Sequence, residues 1–96
     1  MTEIRRIIQA PVFARQKKRL QKKQISDLDS AVRKIAGSPE SGKLKVGDLG
    51  NIRVYKFKSL NTQFLLTYEV TGDTLCLCSV GSHQNFYRNL KKYINR

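Results

Sequence analysis

The chain has 96 residues, 40% of them hydrophobic, which predicts one small domain over residues 1–96 with a modest core. Nineteen lysines and arginines stand against seven aspartates and glutamates, and the formal net charge of +12 favours a polyanionic partner, above all nucleic acid. No segment is long and apolar enough to span a bilayer, and the basic stretches lack a strongly apolar opposite face, so no membrane partner is expected.

The N-terminal half predicts a strand followed by two helices. Residues 4–9 form the strand, and the first helix covers residues 12–23. A break is expected at residues 24–26, with Ser26 in a weak capping arrangement. The second helix then runs to Gly37, and the short connection makes the two helices an antiparallel hairpin.

The first helix has a thin apolar stripe and a broad cationic surface. Its basic residues are expected to contact RNA phosphates, as is one lysine of the C-terminal segment. These residues are Lys17, Lys18, Arg19, Lys22 and Lys91.

The C-terminal half changes to a period of two residues, which is typical of strands. After a glycine-rich loop, strands are predicted at residues 44–46, 52–58, 63–70 and 74–80. The last of these is apolar on both faces and is therefore expected to be the central strand of the sheet. A short helix follows Gly81. The order predicts an α+β fold, with an N-terminal strand and a helix hairpin packed on a mainly antiparallel sheet.

Cys76 and Cys78 lie two residues apart in one predicted strand. This placement suits neither a disulfide nor, without a second cysteine pair, a zinc site. We interpret both as small buried side chains in a reducing compartment, and together with the charged residues 1–6, which do not resemble a signal peptide, they predict a cytoplasmic protein.

His83 is the one histidine, and it lies between the last predicted strand and the last helix. A lone histidine is more often structural than catalytic. Here, however, His83 and Tyr87 share a face if the helix begins near His83, and Arg88 flanks them. Strand-end loops also commonly display functional groups.

Lys56 and Lys58 occupy one face of a strand whose other face is aromatic, and Arg53 lies close by. They are either a solvated sheet surface or a cationic floor beside His83. RNA cleavage by the 2′-hydroxyl needs a base, an acid and cations that stabilise the phosphorane. Histidine suits either proton transfer, and Tyr87 or a lysine is a candidate partner. This chemistry requires no metal and no cofactor, and the acids form no evident Mg²⁺ site.

Several segments resemble the RelE/ParE superfamily of type II toxin–antitoxin toxins, and the likeness covers nearly the whole chain. They are Gly37-Ser38-Pro39, Lys43-Leu44, Asp48 through Tyr55, Phe64 through Val70 and, most distinctively, Val80-Gly81-Ser82-His83-Gln84-Asn85-Phe86-Tyr87-Arg88. The resemblance implies a toxin that is either a ribosome-dependent mRNA endonuclease or an inhibitor of DNA gyrase. It also implies a cognate antitoxin whose acidic segment blocks the site.

Carried over residue by residue, the resemblance makes Lys56 and Lys58 the paired sheet lysines, His83 the C-terminal His/Arg and Tyr87 the terminal tyrosine. Leu65 stands where the family often has a basic residue, so Arg53 or Arg88 would have to make that phosphate contact. This departure keeps the gyrase inhibitor open. A basic nucleic-acid-binding domain without toxicity, in which His83 only caps a helix, is a third interpretation.

Overall fold

A five-stranded sheet with two helices on one face makes up the part of the chain that the structure describes, residues 4–44 and 52–82 of this computed structural model. The elements in chain order are β1 (Arg6–Gln9), α1 (Pro11–Lys18), α2 (Lys22–Gly37), a 3-10 turn (Pro39–Ser41), β2 (Lys43–Leu44), β3 (Arg53–Ser59), β4 (Thr62–Thr71) and β5 (Thr74–Ser82). The predicted α+β class and order of elements are confirmed for these residues, and the predicted C-terminal helix lies outside them.

The strands lie in the order β1-β5-β4-β3-β2. The pairs β2–β3, β3–β4 and β4–β5 are antiparallel. The pair β1–β5 is parallel, with Arg6 opposite Thr74. The sheet is thus mainly antiparallel, as predicted. The last strand, β5, is interior but is not the central strand that the sequence predicts. The central strand is β4, which is buried continuously from Phe64 to Tyr68.

Two tight turns connect the three long strands. The β4–β5 turn places Gly72 at a φ of 60°, a conformation that glycine adopts without steric cost. The β3–β4 turn places Leu60 and Asn61 at positive φ instead. Both turns leave only two residues outside the strand pairing, so the register of the meander is tightly defined.

The predicted break between the helices is wrong by several residues. The first helix ends at Lys18 and the second begins at Lys22, so Ser26 lies inside α2 and caps nothing. The start of α2 is stabilised by Gln24, whose side-chain oxygen accepts a hydrogen bond from the Gln21 N–H at 2.9 Å. Glutamine is an uncommon residue at the start of a helix, and this is why the serine was the more attractive candidate.

The core lies between the helix hairpin and one face of the sheet. Helix α1 packs mainly on β5 and α2 on β3. The helices contribute Phe13, Leu28, Ala31 and Ile35, and the sheet contributes Leu66, Tyr68, Leu75, Leu77 and Val80. Among the described residues, no helix is long and apolar enough to cross a membrane.

A buried tyrosine attaches the segment after α2 to the sheet. The Tyr68 hydroxyl donates a hydrogen bond to the Pro39 carbonyl at 2.7 Å and accepts one from the Gly42 N–H at 2.8 Å. Burial raises the pKa of Tyr68, so the phenol stays protonated and can donate. This contact fixes where β2 joins the sheet.

Candidate functional site

Lys56 and Lys58 lie on the face of the sheet that points away from the helices. They alternate along β3 with Tyr55 and Phe57, which pack against the helix-covered core. Both lysines are exposed. They therefore form a pair of cations on one side of one strand, as predicted, and we call them the lysine pair.

The neighbours of the lysine pair across β4 are an apolar residue and an amide. Lys56 stands opposite Leu65, which in turn stands opposite Gly81 on β5, and Lys58 stands opposite Gln63. Leu65 is 0% exposed. Leu65 thus occupies the position where the family often has a basic residue. This position is adjacent to Lys56 but buried, so Leu65 provides no third cation beside the lysine pair.

The strand that leads to His83 ends at the same end of the sheet as the lysine pair. Strands β3 and β5 run in the same direction, because each is antiparallel to β4. Gly81 and Lys56 lie on strands that are separated by β4. At the usual spacing between strands, their backbones are therefore about 10 Å apart. Ser82, the residue before His83 in sequence, lies in the next position of β5. His83, Tyr87, Arg88 and Lys91 themselves lie outside the described residues.

Arg53 is separated from the lysine pair by the sheet. It stands opposite Tyr68 on β4 and so belongs to the helix-covered face. Its Nη1 donates a hydrogen bond to the Gly42 carbonyl at 2.8 Å, and the residue is half-buried. The structure therefore gives Arg53 a structural contact and does not bring it to the position that Leu65 leaves without a cation.

The basic residues of the helices form a second, distinct surface. Lys18, Arg19 and Lys22 are exposed, while Lys17 forms an ion pair of 3.3 Å with Asp29. Because the helices cover the opposite face of the sheet, this surface and the lysine pair point to different sides. A single flat partner cannot contact both.

A bulge in β5 places two thiols near the middle of the sheet. The pairing shifts after Thr67, which leaves Cys78 without a partner on β4. Cys76 and Cys78 are free, as expected, but half-buried rather than fully buried. Burial, and then the neighbouring Cys76, raise the pKa of the Cys78 thiol to about 12, which makes it a poor nucleophile. In residues 4–44 and 52–82, no group of three or more His, Cys, Asp or Glu is placed to hold a metal ion.

Strand β5 also makes a contact with α1 that the sequence did not indicate. The Val80 N–H donates a hydrogen bond of 2.8 Å to the side-chain oxygen of Gln16 on α1. This hydrogen bond joins α1 to β5 two residues before Ser82, so it helps to fix the end of the strand that precedes His83.

Comparison with known proteins identifies both the family and the fold. A model of the ParE-like toxin of type II bacterial toxin–antitoxin systems matches residues 7–91. No curated protein matches the chain significantly. Solved structures with the same fold come from Escherichia coli and Helicobacter pylori, at low sequence identity.

In the intact E. coli RelBE toxin–antitoxin complex, the matching chain has a TM-score of 0.67 and 17% identity over 79% of this chain and 93% of that one. A free double mutant of the E. coli toxin RelE has a TM-score of 0.69 and 15% identity over 96% of this chain and 98% of that one. HP0894 from H. pylori, described as a conserved hypothetical protein, has a TM-score of 0.59. It is 20% identical over 82% of this chain and 94% of that one. With a family match over most of its length and this fold, the chain belongs to the ParE-like toxins of type II bacterial toxin–antitoxin systems, within the RelE/ParE superfamily.

Proposed function

We propose that the protein is a cytoplasmic, ribosome-dependent mRNA endonuclease that arrests translation. The observation that carries this proposal is the position of the lysine pair. Two exposed cations lie on one face of β3, at the end of the sheet where β5 leads to His83. A phosphodiester bound by Lys56 and Lys58 would then be close to the segment that supplies the proton-transfer groups.

The proposed reaction needs no metal ion. The 2′-oxygen of the RNA attacks the adjacent phosphorus, the bond from phosphorus to the 5′-oxygen breaks, and a 2′,3′-cyclic phosphate and a 5′-hydroxyl result. One of His83 and Tyr87 takes the proton from the 2′-hydroxyl, and the other protonates the departing 5′-oxygen. Lys56 and Lys58 stabilise the added negative charge on the phosphorane.

The proposed partners are mRNA on the ribosome and a cognate antitoxin. The RelE chain of the E. coli complex is bound to its antitoxin, and a net charge of +12 suits an acidic antitoxin segment in the same way. We propose that such a segment covers the lysine pair and thereby competes with RNA.

Primer extension on mRNA from cells after a short pulse of expression tests this proposal. The wild-type toxin should produce cuts in phase with codons, and His83→Gln or Tyr87→Phe should remove them. A Lys56→Gln/Lys58→Gln double variant should lower cleavage about a hundredfold or more, since two phosphate contacts are lost. Lys34→Gln is the matched control, because Lys34 is an exposed lysine on α2. Unchanged cleavage in the His83 and Tyr87 variants, or none by the wild type, would contradict the proposal.

Inhibition of DNA gyrase is the second candidate, and the surroundings of Leu65 favour it. A buried leucine replaces the expected third cation, and Arg53 is hydrogen-bonded on the other face of the sheet. A gyrase inhibitor would cause DNA damage signalling and stalled replication while leaving mRNA intact. Measuring SOS induction beside primer extension in the same cells distinguishes the two functions.

A further inference from the structure

The tip of the β3–β4 hairpin contains a leucine in an unfavourable backbone conformation. Ser59 and Thr62 pair across the hairpin, so Leu60 and Asn61 alone form the turn. Their φ angles are 50° and 62°. Two positive φ values are characteristic of a type I′ turn, which asparagine and glycine form readily. Asn61 fits this pattern, whereas a branched, bulky residue at positive φ is rare.

Among the described residues, no packing of Leu60 on the core offsets this strain. The Leu60 side chain is 48% exposed, and it is not among the hydrophobic residues that pack on the core. Leu44 is similarly exposed, at 46%, but without positive φ. Single exposed leucines are ordinary at protein surfaces, but a leucine that is both exposed and strained suggests selection for a contact with a partner.

Contacts at the base of the β3–β4 hairpin hold the turn that contains Leu60 in place. The buried Ser59 hydroxyl donates a 2.6 Å hydrogen bond to Asp27 on α2, and the rings of Phe57 and Phe64 stack with their centroids 5.4 Å apart. Lys58, on β3, is two residues before Leu60 in sequence. The tip therefore places an apolar side chain close to the lysine pair.

We propose that Leu60 is an RNA-contacting residue, which packs against a base of single-stranded RNA whose phosphates are neutralised by Lys58 and Lys56. A partner for this surface must combine negative charge with exposed apolar faces, and unpaired RNA has both. This inference rests on the proposed function, which identifies RNA as the partner. Leu60 supplies binding rather than proton transfer.

Binding of the purified toxin to a fluorescent, 2′-O-methylated single-stranded RNA tests the inference, because this RNA cannot be cut through its 2′-oxygen. Leu60→Asn should raise the Tm by about 5 °C, as a strained backbone is relieved. The same variant should weaken RNA binding about tenfold, since an apolar contact is lost. Leu44→Asn is the matched control and should leave affinity unchanged.

Salt dependence separates the apolar contact from the charged ones. Leu60→Asn should leave the slope of log affinity against log salt unchanged, while Lys58→Gln should reduce it by about 0.7. Leu60→Met, which keeps an apolar side chain, should retain most of the affinity. Wild-type affinity in Leu60→Asn would overturn the inference, as would a lowered Tm, because Leu60 would then be structural.

Failure of the inference and failure of the proposed function give different results. If the wild type cuts mRNA in cells and Leu60→Asn binds RNA normally, the inference alone is wrong. If Leu60→Asn weakens RNA binding but the wild type cuts no mRNA, the proposed cleavage is wrong and the RNA contact stands. If the variant loses affinity only for an acidic, leucine-containing peptide, the tip binds protein and the inference is overturned.

Discussion

The Tyr68 hydroxyl leaves room only for glycine at position 42. A Cβ atom on Gly42 would lie 2.7 Å from that hydroxyl oxygen and 3.0 Å from the Val54 carbonyl oxygen. The first is part of a fully buried ring and the second is backbone, so neither can move without disturbing the sheet. The conformation at Gly42 is extended and open to any residue; the requirement is for space.

Gly42→Ala should therefore destabilise the protein by about 1–3 kcal/mol, the usual cost of overpacking. Tyr68→Phe should cost about as much, because the Gly42 N–H and the Pro39 carbonyl lose their partner. Urea unfolding of both single variants and the double variant measures this, and the double variant should lose less than the sum. Gly37→Ala is the control, since nothing lies within 4 Å of its Cβ. Strict additivity would show that the two residues act independently.

Sequence reasoning recognised Gly42 only as one of several glycines in a loop. The close approach to Tyr68 depends on a residue 26 positions away and could not be inferred from local pattern. The same holds for the hydrogen bond from Arg53 to Gly42, which joins residues 11 positions apart. The exposure of Lys56 and Lys58, by contrast, follows from the period of two and was predictable.

The hydrogen bond between Asp27 and Ser59 joins helix α2 to the β3–β4 hairpin. The Ser59 hydroxyl, and to a lesser degree Lys23, lower the pKa of the Asp27 carboxyl from its ordinary value. A carboxyl with a lowered pKa in the folded state stabilises the fold above its unfolded pKa, and this contribution is lost as the pH falls through the folded value. The joint should therefore weaken below about pH 4.

Ser59→Ala tests this joint by its pH dependence. At pH 7 the variant should be less stable than the wild type, because Asp27 loses its hydrogen-bond donor. At a pH below the folded pKa of Asp27 the difference should shrink, since the wild-type carboxyl is then protonated. Thermal unfolding at both pH values gives the comparison, and Asp29→Asn, which removes the exposed ion pair with Lys17, should have little effect at either. A stability difference between wild type and Ser59→Ala that grows toward low pH would contradict this expectation.

Element types were easier to predict than element ends. The period of two identified β3, β4 and β5 within one or two residues, because each has one face on the core and the turns between them are short. The boundary between α1 and α2 was misplaced because a glutamine pair, Gln21 and Gln24, stabilises the start of α2. Pairing of β1 with β5 was also beyond local pattern, since it joins opposite ends of the described chain.

The chain carries far more positive than negative charge, with a formal net charge of +12. Among the described residues, Lys17 forms an ion pair with Asp29 and Lys23 forms one with Asp27. Repulsion among the excess positive charges opposes folding, and salt screens it. The two ion pairs are exposed or half-exposed and contribute little, so their screening cannot reverse the effect.

The Tm should therefore rise by several degrees between 0.05 and 0.5 M NaCl, a range over which the Debye length falls from about 14 to about 4 Å. Differential scanning calorimetry of the toxin measures this. Sodium sulfate at equal ionic strength controls for salting-out, which acts in addition to screening. A Tm that falls with added NaCl would show that attractive pairs outweigh the repulsion.

The parallel pairing of β1 with β5 also bears on how the toxin is made. During synthesis β1 leaves the ribosome first, but Leu75 and Leu77, which stand opposite Ile7 and Gln9, are added only after α1, α2 and the rest of the meander. Contacts between such distant segments form slowly, because a long loop must close before they contribute. Since α1 also packs on β5, a partly made chain has neither its edge strand nor its first helix in place. The complete sheet, with its edge strand and first helix in place, can therefore form only after nearly all of the described chain has been translated.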